Sequence, residues 1–118
     1  MSNASYRNLS YWDGFSDQFR DADIHVQAGI FTADAATDSI GRDMAGGFAI
    51  PGLIDAHVHM CLNPKISDPL AQADADDDQI LEEIRARALA MVRAGITTAR
   101  DLGGGAWLEL RIRDEIMR

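Results

Sequence analysis

Hydrophobic residues follow two different rhythms along this chain, and the rhythm changes near residue 50. Before it, short apolar clusters such as Ile24-His25-Val26, Gly29-Ile30-Phe31 and Phe48-Ala49-Ile50 are separated by Gly, Asp, Ser and Thr. Short clusters bounded by turn residues predict strands of a small sheet. Apolar and polar residues alternate over Ala22–Gln27, and Ala28-Gly29 is suited to the tight turn into the next strand. Beyond Pro51-Gly52, the stretch Leu53–Met60 sorts by period 2: Ile54, Ala56, Val58 and Met60 fall on one face, and Leu53, Asp55, His57 and His59 on the other. The spacing then becomes helical, with Ile80, Leu81, Ile84, Ala88, Met91 and Val92 on one stripe. Gly95 supplies a C-terminal stop. Ile96-Thr97-Thr98-Ala99 reads as a second strand because it is short and β-branched. After Gly103-Gly104-Gly105 a second helix is predicted from Leu108, Ile112 and Ile116, with Glu109 and Arg113 as an i,i+4 pair.

Strand, helix, strand, helix after a β-rich start predicts an α/β fold with parallel strands joined by a crossover. That is the start of an α/β sheet or barrel, and a complete (β/α)8 barrel takes about 250 residues. The acidic run Asp74–Asp78 precedes the first helix, where free backbone N–H groups favour anions. A calcium loop is the competing reading of that run. Counted from Asp74, it would need glycine at Gln79 and glutamate at Arg85.

Composition narrows the function classes. The 118 residues are 47% hydrophobic and 25% charged, as expected of one soluble globular domain, and no apolar run approaches the roughly 20 residues of a membrane span. A net charge of -8 argues against a protein that grips nucleic acid through phosphates. Cys61 is the only cysteine, so no internal disulfide is possible and a reducing, cytoplasmic setting is expected. Met1-Ser2-Asn3-Ala4 resembles the scar of a cleaved expression tag and is set aside from the fold argument.

The candidate chemistry lies at the end of the apolar strand. Two histidines at i and i+2 point the same way, so their rings can converge on one ion at the roughly 2.0–2.1 Å of a zinc–nitrogen bond. Active sites of parallel barrels lie at the C-terminal ends of strands, where His57 and His59 fall. Asp55, on the same face, is placed to hydrogen-bond a ligand from behind or to line a barrel interior. Against this stands a plain half-buried strand with polar residues toward water. Arg100 and Asp101 end the second strand, as contacts at a barrel mouth or as a local ion pair. His25 reads as a surface residue, Cys61 as a buried inert thiol or a soft ligand, and Trp12 and Trp107 as packing residues. The three glycines before the second helix suggest a phosphate loop, but no Gly-Lys-Ser/Thr follows them.

The stretch PGLIDAHVHM, residues 51–60, resembles the first barrel strand of the amidohydrolase superfamily, with its metal-binding His-x-His. RAGITTARDLGG, residues 93–104, resembles the second strand of the imidazolonepropionase-like and Xaa-Pro dipeptidase-like branch. YWDG at 11–14 and DADIHVQAGIF at 21–31 resemble the flanking β-sandwich, although Ala28-Gly29-Ile30-Phe31 stands where the family usually has Asp-Gly-Arg-Ile. The resemblance implies part of a β-sandwich over residues 5–50 and the first two βα units of a truncated TIM barrel over 51–118. It implies His57 and His59 as ligands of a divalent metal, with zinc first, in an enzyme that hydrolyses amides, dipeptides or N-acyl amino acids. It also implies that a carboxylated lysine, two more histidines and a proton-handling aspartate complete the site outside these 118 residues.

Two function classes follow. In the first, the chain is a catalytically incomplete part of a metal-dependent hydrolase with a small-molecule substrate. In the second, it is a non-catalytic module whose open strand edges and uncovered apolar face drive self-association or strand exchange.

Overall fold

The computed structural model describes residues 3–72, 75–104 and 106–118. The chain divides into two compact units, residues 1–51 and 52–118.

The first unit is a five-stranded sheet of β1 (Ala4–Tyr11), β2 (Arg20–Asp21), β3 (Ile24–Gln27), β4 (Ile30–Thr32) and β5 (Ile40–Ala49). β1 is its spine: β3 and β2 pair antiparallel with its two halves, and β5 runs parallel to it from Ala4↔Ile40 to Tyr11↔Ala49. Ala4, set aside on sequence grounds, opens β1, and the carbonyl of Asn3 just before it accepts the Ile40 N–H at 3.0 Å. The β3–β4 hairpin turns at Ala28-Gly29 as expected, both with positive φ (50° and 84°), which suits a primed turn matched to strand twist.

The β1–β5 register slips around Asn8, which is itself left-handed (φ 56°). The Asp43 carboxylate stabilises the irregularity by accepting the Ala45 N–H at 2.8 Å and the Asn8 amide at 3.0 Å. These bonds, the Ala45 N–H foremost, hold its carboxyl below the usual range. His25 is not a simple surface residue. Its Nδ1 lies 3.0 Å from Oγ of the buried Ser5, which in turn meets Ser39 Oγ at 2.9 Å.

The second unit runs β6 (Leu53–Val58), a 3-10 turn (Pro69–Gln72), α1 (Asp77–Arg93), β7 (Ile96–Asp101) and α2 (Leu108–Ile116). β6 and β7 are parallel, as the strand–helix–strand order requires. Gly95 (φ 88°) follows the α1 C-cap as expected. At the other end Asp76 is the N-cap but makes no side-chain cap bond, so Asp77 and Asp78 favour this terminus through the helix dipole. The start of the acidic run, Asp74, lies outside the described residues.

Leu81 and Ile84 from α1, Leu108 and Ile112 from α2, and Cys61 from the loop that follows β6 form the core. The predicted stripes are half used, because Val92 is 58% and Ile116 69% exposed. The expected Glu109–Arg113 pair does not form. Glu109 is drawn inward beside the buried Leu108 and Ile112, leaving Oε2 without a partner among the described residues, while Arg113 turns outward to Asp114 at 2.6 Å. The link between helices is instead Arg85, which grips Glu115 with two bonds of 2.7 and 2.8 Å. No helix of the described residues is long and apolar enough to cross a membrane.

Candidate metal centre

β6 ends at Val58, so His57 lies within the strand and His59 is the first turn residue after it, its carbonyl accepting the Leu62 N–H at 3.0 Å. Both imidazoles are exposed, and their centroids lie 5.3 Å apart at 72°, edge to face. Two rings this close on one strand end are what two ligands of a single ion require.

His59 is oriented by its backbone neighbour across the strand ends. Its Nδ1 lies 2.5 Å from the Gly103 carbonyl oxygen. A carbonyl only accepts, so Nδ1 carries the proton in this contact and the Nε2 lone pair is left free to ligate. Metal-binding histidines are commonly set up in this way, with the other ring nitrogen donating to a carbonyl or carboxylate. Asp55 is spent differently. Its Oδ1 accepts the His57 main-chain N–H at 3.1 Å, bracing the strand rather than an imidazole ring.

The main chain just past His59 is clamped at both polar groups of Met60. Asp101 Oδ2 accepts its N–H at 2.9 Å, and Arg87 Nη1 donates to its carbonyl at 2.5 Å. Asp101 Oδ1 also accepts the Gly103 N–H at 2.8 Å. The expected local ion pair between Arg100 and Asp101 is absent from the described residues, because the aspartate's oxygens face backbone N–H donors while Arg100 points to solvent. Arg87 was not singled out by sequence, though Glu83, four residues earlier and hydrogen-bonded to it, marks the pair on the helix.

Two glycines of this unit are explained by close approach. A Cβ on Gly104 would fall 1.7 Å from Cys61 Sγ, and one on Gly52 would fall 2.0 Å from Thr97 Oγ1. Cys61 is therefore a packing thiol in the core, not a ligand toward the imidazoles. Trp107, expected to pack, is 70% exposed and caps α2 in a left-handed conformation. No group of three or more potential metal-binding side chains occurs among the described residues. The donors present fit part of a metal site, as a pair of imidazoles with one tautomer fixed.

The family model described as the Amidohydrolase family matches residues 48–112, more than half of the chain, and that span contains both histidines. The chain belongs to the amidohydrolase family. An adenine deaminase of Methanoregula boonei is 36% identical over 56 residues, covering 46% of this amidohydrolase chain and 10% of the deaminase. Among solved structures, one described as an amidohydrolase superposes with a TM-score of 0.81 at 21% identity, covering 98% of this chain and 29% of that one. A Xaa-Pro dipeptidase with bound methionine in its active site gives 0.70 at 20% identity, covering 98% and 30%. At these identities the structural likeness speaks to the fold, a mixed α/β arrangement shared over nearly the whole chain. The chain spans a tenth of the length of its curated relative and under a third of these structures.

Proposed function

We propose that this amidohydrolase chain carries part of the metal site of an enzyme that hydrolyses carbon–nitrogen bonds, with dipeptides or N-acyl amino acids as substrates. The observation that carries the reading is the pair of adjacent imidazoles at the end of β6, with His59 Nδ1 tied to the Gly103 carbonyl. A deaminase and a dipeptidase, the activities named for two similar proteins, both break a carbon–nitrogen bond, and the proposal takes only that shared step. The substrate class rests on the resemblance of the second strand to the dipeptidase-like branch.

His57 and His59 are the residues that would hold a divalent ion, with zinc the first choice for imidazole nitrogen. When bound, the ion supplies a Lewis acid that makes water nucleophilic near neutral pH. The chain's own part is to aim the two rings. Asp55 braces β6 beneath them, and Asp101 and Arg87 fix the turn after His59. Two imidazoles fill half of a tetrahedral zinc shell, so the remaining ligands and the proton-handling group belong to residues beyond these. On this reading the second unit is the start of a (β/α)8 barrel and the first unit part of a β-sandwich, with Arg100 and Asp101 near the barrel mouth. A cytoplasmic enzyme suits the single buried thiol.

Calorimetry with zinc is expected to show weak binding, readily stripped by a chelator and abolished in the double variant His57→Ala, His59→Ala, with no hydrolysis of dipeptides by the 118-residue chain. Zinc binding indifferent to that double substitution, or chelator-sensitive turnover by the chain alone, would overturn the reading.

A second reading, of a self-associating module, is favoured by the strand β6 itself. Ile54 is 71% exposed, Leu53 is half-exposed, and the outer edges of β6 and β7 pair with no other strand among the described residues. A monomer by light scattering at high concentration would count against it.

A further inference from the structure

We propose that Asp101 is a positioning residue that sets the orientation and tautomer of His59, an inference that rests on the metal reading given above. The geometry is a closed circuit. One carboxylate accepts two main-chain N–H groups, from Met60 at 2.9 Å through Oδ2 and from Gly103 at 2.8 Å through Oδ1. Met60 is the residue after His59, so the first bond fixes where the His59 backbone lies. Gly103 offers the carbonyl that receives the His59 Nδ1 proton at 2.5 Å, so the second bond fixes where the ring points. Asp101 thus holds both ends of the histidine through its neighbours without touching the imidazole.

Three features say the circuit is built and not incidental. Asp101 closes β7 in register with Val58, and the Val58 carbonyl accepts the Leu102 N–H at 3.0 Å, so the carboxylate projects from a paired strand end. Gly103 sits at φ 87°, a conformation that side chains rarely adopt, although a Cβ there would meet nothing within 4 Å. Glycine is thus required by backbone direction alone, and that direction aims the carbonyl at His59. The Met60 carbonyl is held separately by Arg87 at 2.5 Å, so the peptide after Met60 has its own anchor and Asp101 is left to control the peptide between His59 and Met60. A carboxylate is the side chain this job needs, because it accepts at both oxygens, whereas an amide would turn a donor toward one of the two N–H groups.

The test uses the 118-residue chain with ¹⁵N-labelled histidine, at a pH of about 8 where imidazole is neutral. Long-range nitrogen–proton spectra are expected to show wild-type His59 as the Nδ1–H tautomer. In Asp101→Asn and in Gly103→Ala the population shifts toward Nε2–H, and zinc binds about 10- to 100-fold more weakly, the usual effect of losing a ligand's supporting contact. Amides of α1 and α2 in the same unit keep their exchange protection, which a general loss of structure there would not allow. A folded Asp101→Asn chain with wild-type tautomer and wild-type zinc affinity overturns the proposal. Should that variant not fold, the wild-type chain still decides: His59 found as Nε2–H, or Met60 and Gly103 amides that exchange without protection, overturns it as well. A tautomer that responds to Asp101 in a chain that binds no zinc supports the positioning role and defeats the metal reading instead.

Discussion

Residues 3–51 bury only Leu9 and Ser5 among the described residues, whereas residues 52–118 gather Leu81, Ile84, Leu108, Ile112 and Cys61 into one cluster. The first unit is a web of backbone ladders with carboxylates spent on turns: Asp43 at the β1–β5 slip, and Asp13, which accepts the N–H groups of Phe15 and Ser16 at 2.9 and 2.8 Å. The second unit is a packed floor with two imidazoles set on its rim. On the proposed metal reading the contrast has a reason. A ligand pair holds its geometry only if the strand ends beneath it cannot drift, and close-packed aliphatic side chains resist drift better than exposed ladders do.

The largest expected effect tests that contrast directly. Ile84 is 1% exposed at the centre of the α1–α2 contact, and Ile84→Ala should cost about 2–5 kcal/mol through lost burial and the cavity left behind. Hydrogen exchange read residue by residue should show β6 and β7 losing protection while β1 and β5 keep theirs. Equal loss in both units would break the comparison.

A smaller effect of opposite sign is expected at Glu109, whose Oε2 is buried without a partner among the described residues. Glu109→Met should raise the stability of the second unit by about 1–2 kcal/mol, because an uncompensated carboxylate is removed from an apolar setting. An unchanged urea midpoint would mean that the carboxylate finds a partner in solution.

The smallest effect belongs to the first unit. The N–H groups of Ser16 and Phe15 hold the Asp13 carboxyl at about 2, below its ordinary 3.8, with Arg20 adding a lesser contribution. Between those two values the unfolded chain takes up a proton that the folded chain refuses. The stabilisation is therefore whole above the ordinary value and drains away as pH falls toward the folded one. Because the group is exposed the loss should be slight, and Asp13→Asn should flatten it. Thermal melts of both proteins at about pH 5 and about pH 2.5 make the comparison; parallel pH responses would remove Asp13 from the account.

What could be read from the sequence was local. Alternation marked β3, the Ala28-Gly29 pair marked its turn, and helical spacing found both helices, because each signal is complete within a few residues. The long parallel pair β1–β5 left no such mark. β5 contains Gly41, Asp43, Gly46 and Gly47 and is largely exposed, so its identity comes from partners some 35 residues away. The two histidines at the candidate site were legible from spacing. Asp101 was seen as a charge at a strand end, but its role lies in backbone N–H groups brought to it by the fold, and nothing in a residue's own type announces those. Glu109 and Arg113 failed for a related reason: i,i+4 spacing says that two side chains share a helix face, and only the core decides which of them faces inward.

The contact between Cys61 and Gly104 turns the one thiol of the chain into a clock. Its sulfur lies where a side chain on Gly104 would have to be, two residues after His59 and next to the glycine whose carbonyl holds that ring. The thiol is buried, so its alkylation should speed up whenever the two loops part, and the rate then follows how often the seat of the imidazoles comes undone.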